Sequence, residues 1–150
     1  NQNGVVEYPE WGVGHDDSYR WHDGLPLHFT RQESWNARKW GKRTIDLFEN
    51  PELNAHLYLE CLSLASIARA LGREEDAERW TTQARTLGRR AHEVLYDMET
   101  GVYMDRHIKT GKFTGLCSVG SFLPLYAGMT PKSLARRMCR DYLLNPGRFY

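Results

Sequence analysis

Apolar residues recur at helical spacing in two long stretches of the chain. In the first, from Leu57 to Leu71, they repeat at alternating steps of four and three, the period of one helix face. Asn50 followed by Pro51 is typical of an N-cap and first helical position, and Gly72 is typical of a helix end. The pattern predicts a helix with a buried stripe of Leu57, Cys61, Leu64, Ala68 and Leu71.

A second helix is predicted to follow after only a few residues. Three consecutive acidic residues, beginning at Glu74, favour its first turn, where the helix dipole stabilises negative charge. Two helices joined by a short loop with Gly72 form an antiparallel αα-hairpin, which we assign to residues 50–96. The predicted stripe of the second helix comprises Ala77, Trp80, Ala84, Leu87, Ala91 and either Val94 or Leu95.

The helical pattern is then interrupted. A turn at 97–101 precedes a predicted strand, Val102–Arg106, which we expect to pair with Phe113–Leu116 as a β-hairpin insert over residues 97–117. Residues 118–150 are predicted to form further helices: a short one interrupted by Gly and Pro, then one over Pro131–Leu144. The fold class is therefore mainly α with a short β-hairpin insert.

Residues 1–49 contain the richest set of chemical groups and little periodicity, so we interpret them as a loop region that carries a functional motif. Within 11–24, two tryptophans, two histidines, three carboxylates and an arginine lie among glycines. Indole rings stack on sugar rings, and carboxylate and guanidinium groups hydrogen-bond sugar hydroxyls. The alternative is structural: Asp-Asp-Ser is also common in turns, and the aromatic side chains could simply pack.

Charge and composition exclude several other classes. The 150 residues include 20 Lys or Arg and 19 Asp or Glu, a net charge of +1, so we expect no nucleic-acid partner. No apolar run approaches a membrane span, and no leader is visible, so we expect a cytoplasmic protein without membrane contact. Three widely spaced cysteines form no zinc pattern with the histidines, so no metal or cofactor is predicted.

A resemblance to a known family enters at the motif Gly14-x-Asp16-x-Ser18-x-Arg20-Trp21, which is similar to one in trehalases and glycoside hydrolase family 63. Further segments resemble that family in the same order: 52–59, 71–80, 95–105, 121–128 and 145–149. The resemblance implies a six-hairpin (α/α) toroid, of which this chain would supply a part. The remainder is expected from a longer parent chain.

The resemblance also implies a reaction and a set of roles. It implies inverting hydrolysis of a small glycoside or oligosaccharide, with Asp16 as general acid, or Asp17 if the register slips by one residue. The catalytic base would come from another part of the toroid, since nothing after Gly128 resembles its motif. The candidate substrate-binding residues are Trp11, Trp21, Arg20, Asn54, His15 and Asp17, with Glu52 as a further candidate.

Two other interpretations stay open from the sequence. The hairpin and its many surface charges also fit a helical-repeat module that binds proteins without catalysis. A sugar-binding remnant that keeps the site but lacks the base is the third interpretation.

Overall fold

The computed structural model describes residues 4–5, 48–108 and 110–148. Two long helices dominate this part of the chain, α1 (Pro51–Ala70) and α2 (Glu74–Leu95). They pack closely against each other through most of their length. The predicted αα-hairpin and the mainly α fold class are confirmed, and the division of the chain into four regions stays a prediction.

Both ends of α1 follow the predicted capping chemistry. The Asn50 backbone is extended, with φ −122° and ψ 127°, and its Oδ1 accepts a hydrogen bond of 2.9 Å from the amide of Leu53. At the other end, Gly72 adopts a positive φ of 68°. That left-handed conformation lets the amide of Arg73 donate back to the carbonyl of Ala68 at 2.8 Å.

Small residues are prominent among the buried positions of the two helices, and the predicted stripe of α1 is confirmed only in part. Cys61 and Ala68 are buried as predicted, whereas Leu64 and Leu71 are 38% and 67% exposed. Ala65, which lies outside the predicted stripe, is fully buried. The buried alanines and glycine of the two helices, which we call the small-residue seam, are Ala55, Ala65, Ala68, Ala77, Ala84, Gly88 and Ala91.

The β insert differs from the prediction in its partners. Its four short strands are β1 (Phe48–Glu49), β2 (Tyr96–Asp97), β3 (Val102–Tyr103) and β4 (Arg106–His107). β2 and β3 form an antiparallel hairpin, and β4 pairs antiparallel with β1.

The predicted pairing of Val102–Arg106 with Phe113–Leu116 is confirmed only near Arg106. An isolated antiparallel bridge joins Arg106 to Phe113, and the amide of Thr114 donates to the carbonyl of Asp105 at 3.0 Å. The predicted strand is divided at Met104 and Asp105, since β3 pairs with β2 directly after α2, and β4 pairs with β1 before α1.

The C-terminal part consists of short helical segments, as predicted. A 3₁₀ turn (Val119–Phe122) leads into α3 (Leu123–Tyr126), and α4 (Lys132–Met138) continues as a π-helical turn (Cys139–Leu143). In the helix predicted over 131–144, Met138 and Tyr142 are buried as expected. The core that these segments share with α2, β2 and β3 includes Leu95, Tyr96, Val102, Tyr103, Phe122, Met138 and Tyr142.

Side chains of α4 and the π turn hold the β2–β3 turn in place. The guanidinium of Arg137 donates to the carbonyls of Met98 and Glu99 at 3.3 and 3.2 Å. The hydroxyl of Tyr142 donates to the carbonyl of Thr100 at 2.9 Å. The insert is thereby fixed at both sides, to the C-terminal helices and to β1.

None of the helices within the described ranges is long and apolar enough to cross a membrane.

Candidate functional site

Most of the predicted site residues lie outside the described residues. This applies to the proposed acid Asp16 and to Trp11, His15, Asp17, Arg20 and Trp21. Asn54 and Glu52 are described, and both lie in the first turn of α1.

Polar side chains are concentrated where α1 begins. Glu49, Asn50, Asn54 and Asp105 are each no more than 1% exposed, and Arg106 lies beside them. We call these five residues the α1-start cluster. Burial of so many polar groups is costly unless they are hydrogen-bonded, so their contacts define the geometry of the site.

Asn50 is the central residue of the α1-start cluster. Its Nδ2 donates to Oδ1 of Asp105 at 2.7 Å, and its Oδ1 caps α1 through the amide of Leu53. Its carbonyl accepts from Nδ2 of Asn54 at 2.7 Å. One residue thus joins the β insert, the helix start and the predicted sugar-binding amide.

An ion pair lies next to this network. Nη1 of Arg106 donates to Oε2 of Glu49 at 3.0 Å, with the two side chains 29% and 1% exposed. The two residues face each other across the β1–β4 pair. Removing Arg106 would take this ionic partner from a buried carboxylate, which is destabilising.

The orientation of the Asn54 amide follows from its contact with Asn50. The Asn54 side chain is fully buried where it makes this contact. Glu52, the further candidate, is partly buried and lies 4.0 Å from Nε2 of His56.

Sequence reasoning missed four members of the cluster as site residues: Asn50, which was predicted only as a helix cap, and Glu49, Asp105 and Arg106. Asp105 entered only as the last residue of the Gly-x-Tyr-x-Asp segment in the family resemblance. An acidic residue that ends an apolar strand, followed by a basic one, was the available signal. Asp105 and Arg106 contact residues that are 55 and 57 positions away along the chain, so no neighbouring residue in the sequence indicates these contacts.

A second group of titratable side chains lies under α2. The hydroxyl of Tyr103 and Nδ1 of His92 are 2.9 Å apart, and the ring of Tyr96 packs edge-on against Tyr103. Burial raises the pKa of Tyr103 to about 12 and lowers the pKa of His92 from its usual value. Both groups are therefore held neutral near pH 7, as suits a packed core.

The groove between α1 and α2 is apolar. Its volume is about 780 Å³, and its lining includes Leu57, Leu64, Trp80 and Leu87. Glu60 is the one acidic residue among the described residues that line it. The described lining of this groove thus supplies one of the two carboxyl groups that glycoside hydrolysis requires.

Within the described part of the chain, no three His, Cys, Asp or Glu side chains are grouped so that they could hold a metal ion. The three cysteines are free thiols.

A helical hairpin with a buried polar cluster at one end is compatible with the class of helical glycoside hydrolases. Comparison with known proteins assigns the family. The chain belongs to the family of the mannosylglycerate hydrolase MGH1-like glycoside hydrolase domain, whose model matches residues 1–150. The hydrolase and glycosidase class implied by the sequence motifs is confirmed.

A curated relative supports the same class. The chain is 39% identical over 64 residues to the cytosolic neutral trehalase of Kluyveromyces lactis. The match covers 43% of this chain and 8% of that trehalase, so the chain corresponds to a small part of the length of its relative.

Proposed function

We propose that the chain is part of an inverting glycoside hydrolase that acts on α-glucosides or related small glycosides, with Asp16 as its general acid. The observation that carries the proposal is the family match over residues 1–150, which includes the Gly-x-Asp-x-Ser-x-Arg-Trp motif. This match favours the enzyme over the helical-repeat interaction module. The finer assignment, to glycoside hydrolase family 63, is part of the proposal.

The proposed reaction needs two carboxyl groups. Asp16 donates its proton to the glycosidic oxygen as the bond to the anomeric carbon breaks. A second carboxylate takes a proton from water as the water oxygen attacks that carbon from the opposite face; the two groups are about 6.5–9.5 Å apart in inverting enzymes. In this proposal the base and the other half of the toroid come from the rest of the parent protein.

The residues proposed for substrate binding rest on the family resemblance. Asn54 would hydrogen-bond the sugar, and Trp11, Trp21 and Arg20 would complete the sugar pocket, with His15 and Asp17 beside them. The proposed substrate class rests on the names of the two matches, since the family is named for a mannosylglycerate hydrolase and the relative is a neutral trehalase. A cytoplasmic location is proposed on the same basis, since that trehalase is named cytosolic.

The test compares two neighbouring carboxylates in the full-length protein. Asp16→Asn should lower kcat by roughly 10²–10⁴-fold on trehalose, glucosylglycerate or mannosylglycerate, because an amide has no proton to donate at the glycosidic oxygen. Asp17→Asn is the matched comparison: because Asp17 is proposed to lie beside the sugar and not to donate the proton, it should change KM and lower kcat far less than Asp16→Asn does. The reverse result would move the general acid to Asp17.

A substrate with an activated leaving group sharpens the test. Fluoride leaves without full protonation, so Asp16→Asn should hydrolyse α-glucosyl fluoride far better, relative to wild type, than it hydrolyses trehalose. Proton NMR during the first turnovers should show the β-anomer of glucose. Full activity of Asp16→Asn on trehalose, or an α-anomer as first product, would contradict the proposal.

A further inference from the structure

We propose that the groove between α1 and α2 receives a third helix, formed by the polypeptide that precedes Gly4 in the parent protein. The inference goes beyond the proposed function, because it concerns how this part of the chain joins the rest and does not depend on any glycoside. It rests on the side chains that line the groove, on their exposure, and on the path of residues 4 and 5.

Large apolar side chains line the groove in two rows. Leu57 and Leu64 belong to α1, and Trp80 and Leu87 belong to α2. The two members of each row are seven residues apart, close to two helical turns, so they lie on the same side of their helix. With its volume of about 780 Å³, a groove between two such rows fits the side chains of another helix.

The row on α1 continues as exposed apolar surface beyond the groove. Leu64 is 38% exposed, and Ile67 and Leu71, three and seven residues further on, are 56% and 67% exposed. Single apolar side chains on a protein surface are ordinary, but a continuous run of them indicates a contact with another element. We therefore expect this surface to be covered in the parent protein.

The first described residues indicate which part of the chain reaches the groove. Val5 is buried in the same core cluster as Ala91 and Leu95, whereas Gly4 lines the groove. A Cβ added to Gly4 would lie 3.4 Å from Cγ of Arg90, so the backbone at Gly4 lies against α2. Traced backwards from Val5, the chain therefore passes from the core into the groove.

The conformation of Gly4 favours a helix directly before it. Its φ of 77° is left-handed, and a left-handed glycine followed by a packed apolar residue commonly ends a helix. Gly72 ends α1 with a similar φ of 68°, and Val5 supplies the packed residue after Gly4. A helix that ends at Gly4 would leave the groove at the point where Gly4 lines it.

The third helix should be amphipathic. Because the described lining is rich in leucine and includes Trp80, the side chains that enter the groove should be apolar and three or four positions apart. Since the match to the trehalase covers 8% of that protein, a parent of similar length contains much polypeptide outside this chain.

The experiment is photo-crosslinking in the full-length protein. Benzoylphenylalanine is introduced in place of Leu64, and after irradiation the crosslinked peptides are identified by mass spectrometry. We expect a crosslink within one molecule to the peptide that precedes Gly4. Ser63 is the matched control position, because it is exposed and points about 100° away around the helix; the same group there should not crosslink to that peptide.

Thiol labelling measures how well the groove is covered. Leu64→Cys in the full-length protein should be alkylated by a maleimide roughly tenfold more slowly than Ser63→Cys, because a covered thiol reacts only after local opening. Circular dichroism checks that both variants are folded. If the variants at position 64 do not fold, the same measurements are made at Leu57, which lies in the same row.

The outcomes identify the occupant of the groove. A crosslink to residues 6–47, to polypeptide after Tyr150 or to a second copy of the protein would overturn the proposal. Equal alkylation rates, or no crosslink, would also overturn it, because the groove would then be open. Lack of glycoside hydrolysis by the wild type would contradict the proposed function alone, since neither measurement depends on activity.

Discussion

Replacing Asn50 tests how much the α1-start cluster contributes to stability. Asn50→Ala removes two interactions: the cap to the amide of Leu53 at 2.9 Å and the bond to the Asp105 carboxylate at 2.7 Å. Loss of an N-cap costs about 1 kcal/mol. Loss of a buried hydrogen bond to a charged group costs about 1.5–3 kcal/mol.

The two terms together predict that Asn50→Ala lowers the free energy of unfolding by about 3 kcal/mol. Asn50→Ser separates the terms, because serine caps helices as well as asparagine does but cannot reach Asp105 with an N–H donor. It should lose about 2 kcal/mol.

The assay is urea unfolding of the full-length protein followed by far-ultraviolet circular dichroism, with thermal melts in parallel. The slope of free energy against urea should be the same for all three proteins, so that midpoints report stability alone. If Asn50→Ser is as stable as wild type, the contact with Asp105 contributes nothing. If Asn50→Ser and Asn50→Ala are equally destabilised, the capping argument is wrong.

Three further predictions concern the core and the β2–β3 turn. Burial raises the pKa of Tyr103 from 10.0 to about 12. The stability that the neutral hydroxyl contributes is therefore complete below pH 10, and about 3 kcal/mol of the free energy of unfolding is lost as the pH rises to 12. In urea titrations at increasing pH, Tyr103→Phe should show a smaller loss of stability. Burial lowers the pKa of His92 below 6.5, so the unfolded chain takes up a proton at this residue at a higher pH than the folded chain does. The free energy of unfolding should therefore decline as the pH falls below about 6.5. This decline should be absent in His92→Gln. Gly101 has φ 81° and a Cβ added to it would lie 2.6 Å from the Arg137 guanidinium, whereas Gly115, with φ 74°, has open space. Gly101→Ala and Gly115→Ala should each lower the free energy of unfolding by about 1–2 kcal/mol through backbone strain. Only Gly101→Ala should lower it by about 1 kcal/mol more, because it displaces Arg137. Equal melting temperatures for the two glycine variants would show that Arg137 does not stabilise the turn.

The helices were predictable from the sequence because their signals are local. The N-cap Asn50, Pro51 and the left-handed Gly72 lie within or beside the element that they define. The buried stripe of α1 was predicted only in part: Cys61 and Ala68 are buried, but Leu64 and Leu71 are exposed, because the spacing of apolar residues does not show which positions the rest of the fold covers. Which face is covered depends on the partner helix, and that information is not in the helix itself.

The site was less predictable for the same physical reason. Asn54 was identified through a family resemblance, whereas the contact that orients it depends on Asp105, which meets Asn50 across 55 residues of chain. Strands of two residues, such as β1 and β4, carry no readable alternation. These strands pair only when distant parts of the chain come together. That pairing determined which partner each half of the predicted strand joined.

The small-residue seam limits how the two long helices can vary. A methyl group at Gly88 would meet the ring of Tyr58 at 3.0 Å, a tighter approach than packed side chains normally accept. Tyr58 lies one helical turn, about 6 Å along the axis, from Asn54. A larger residue at Gly88 in α2 would therefore push against α1 one turn from the α1-start cluster. We expect such a residue to be accepted there only together with a smaller residue at position 58.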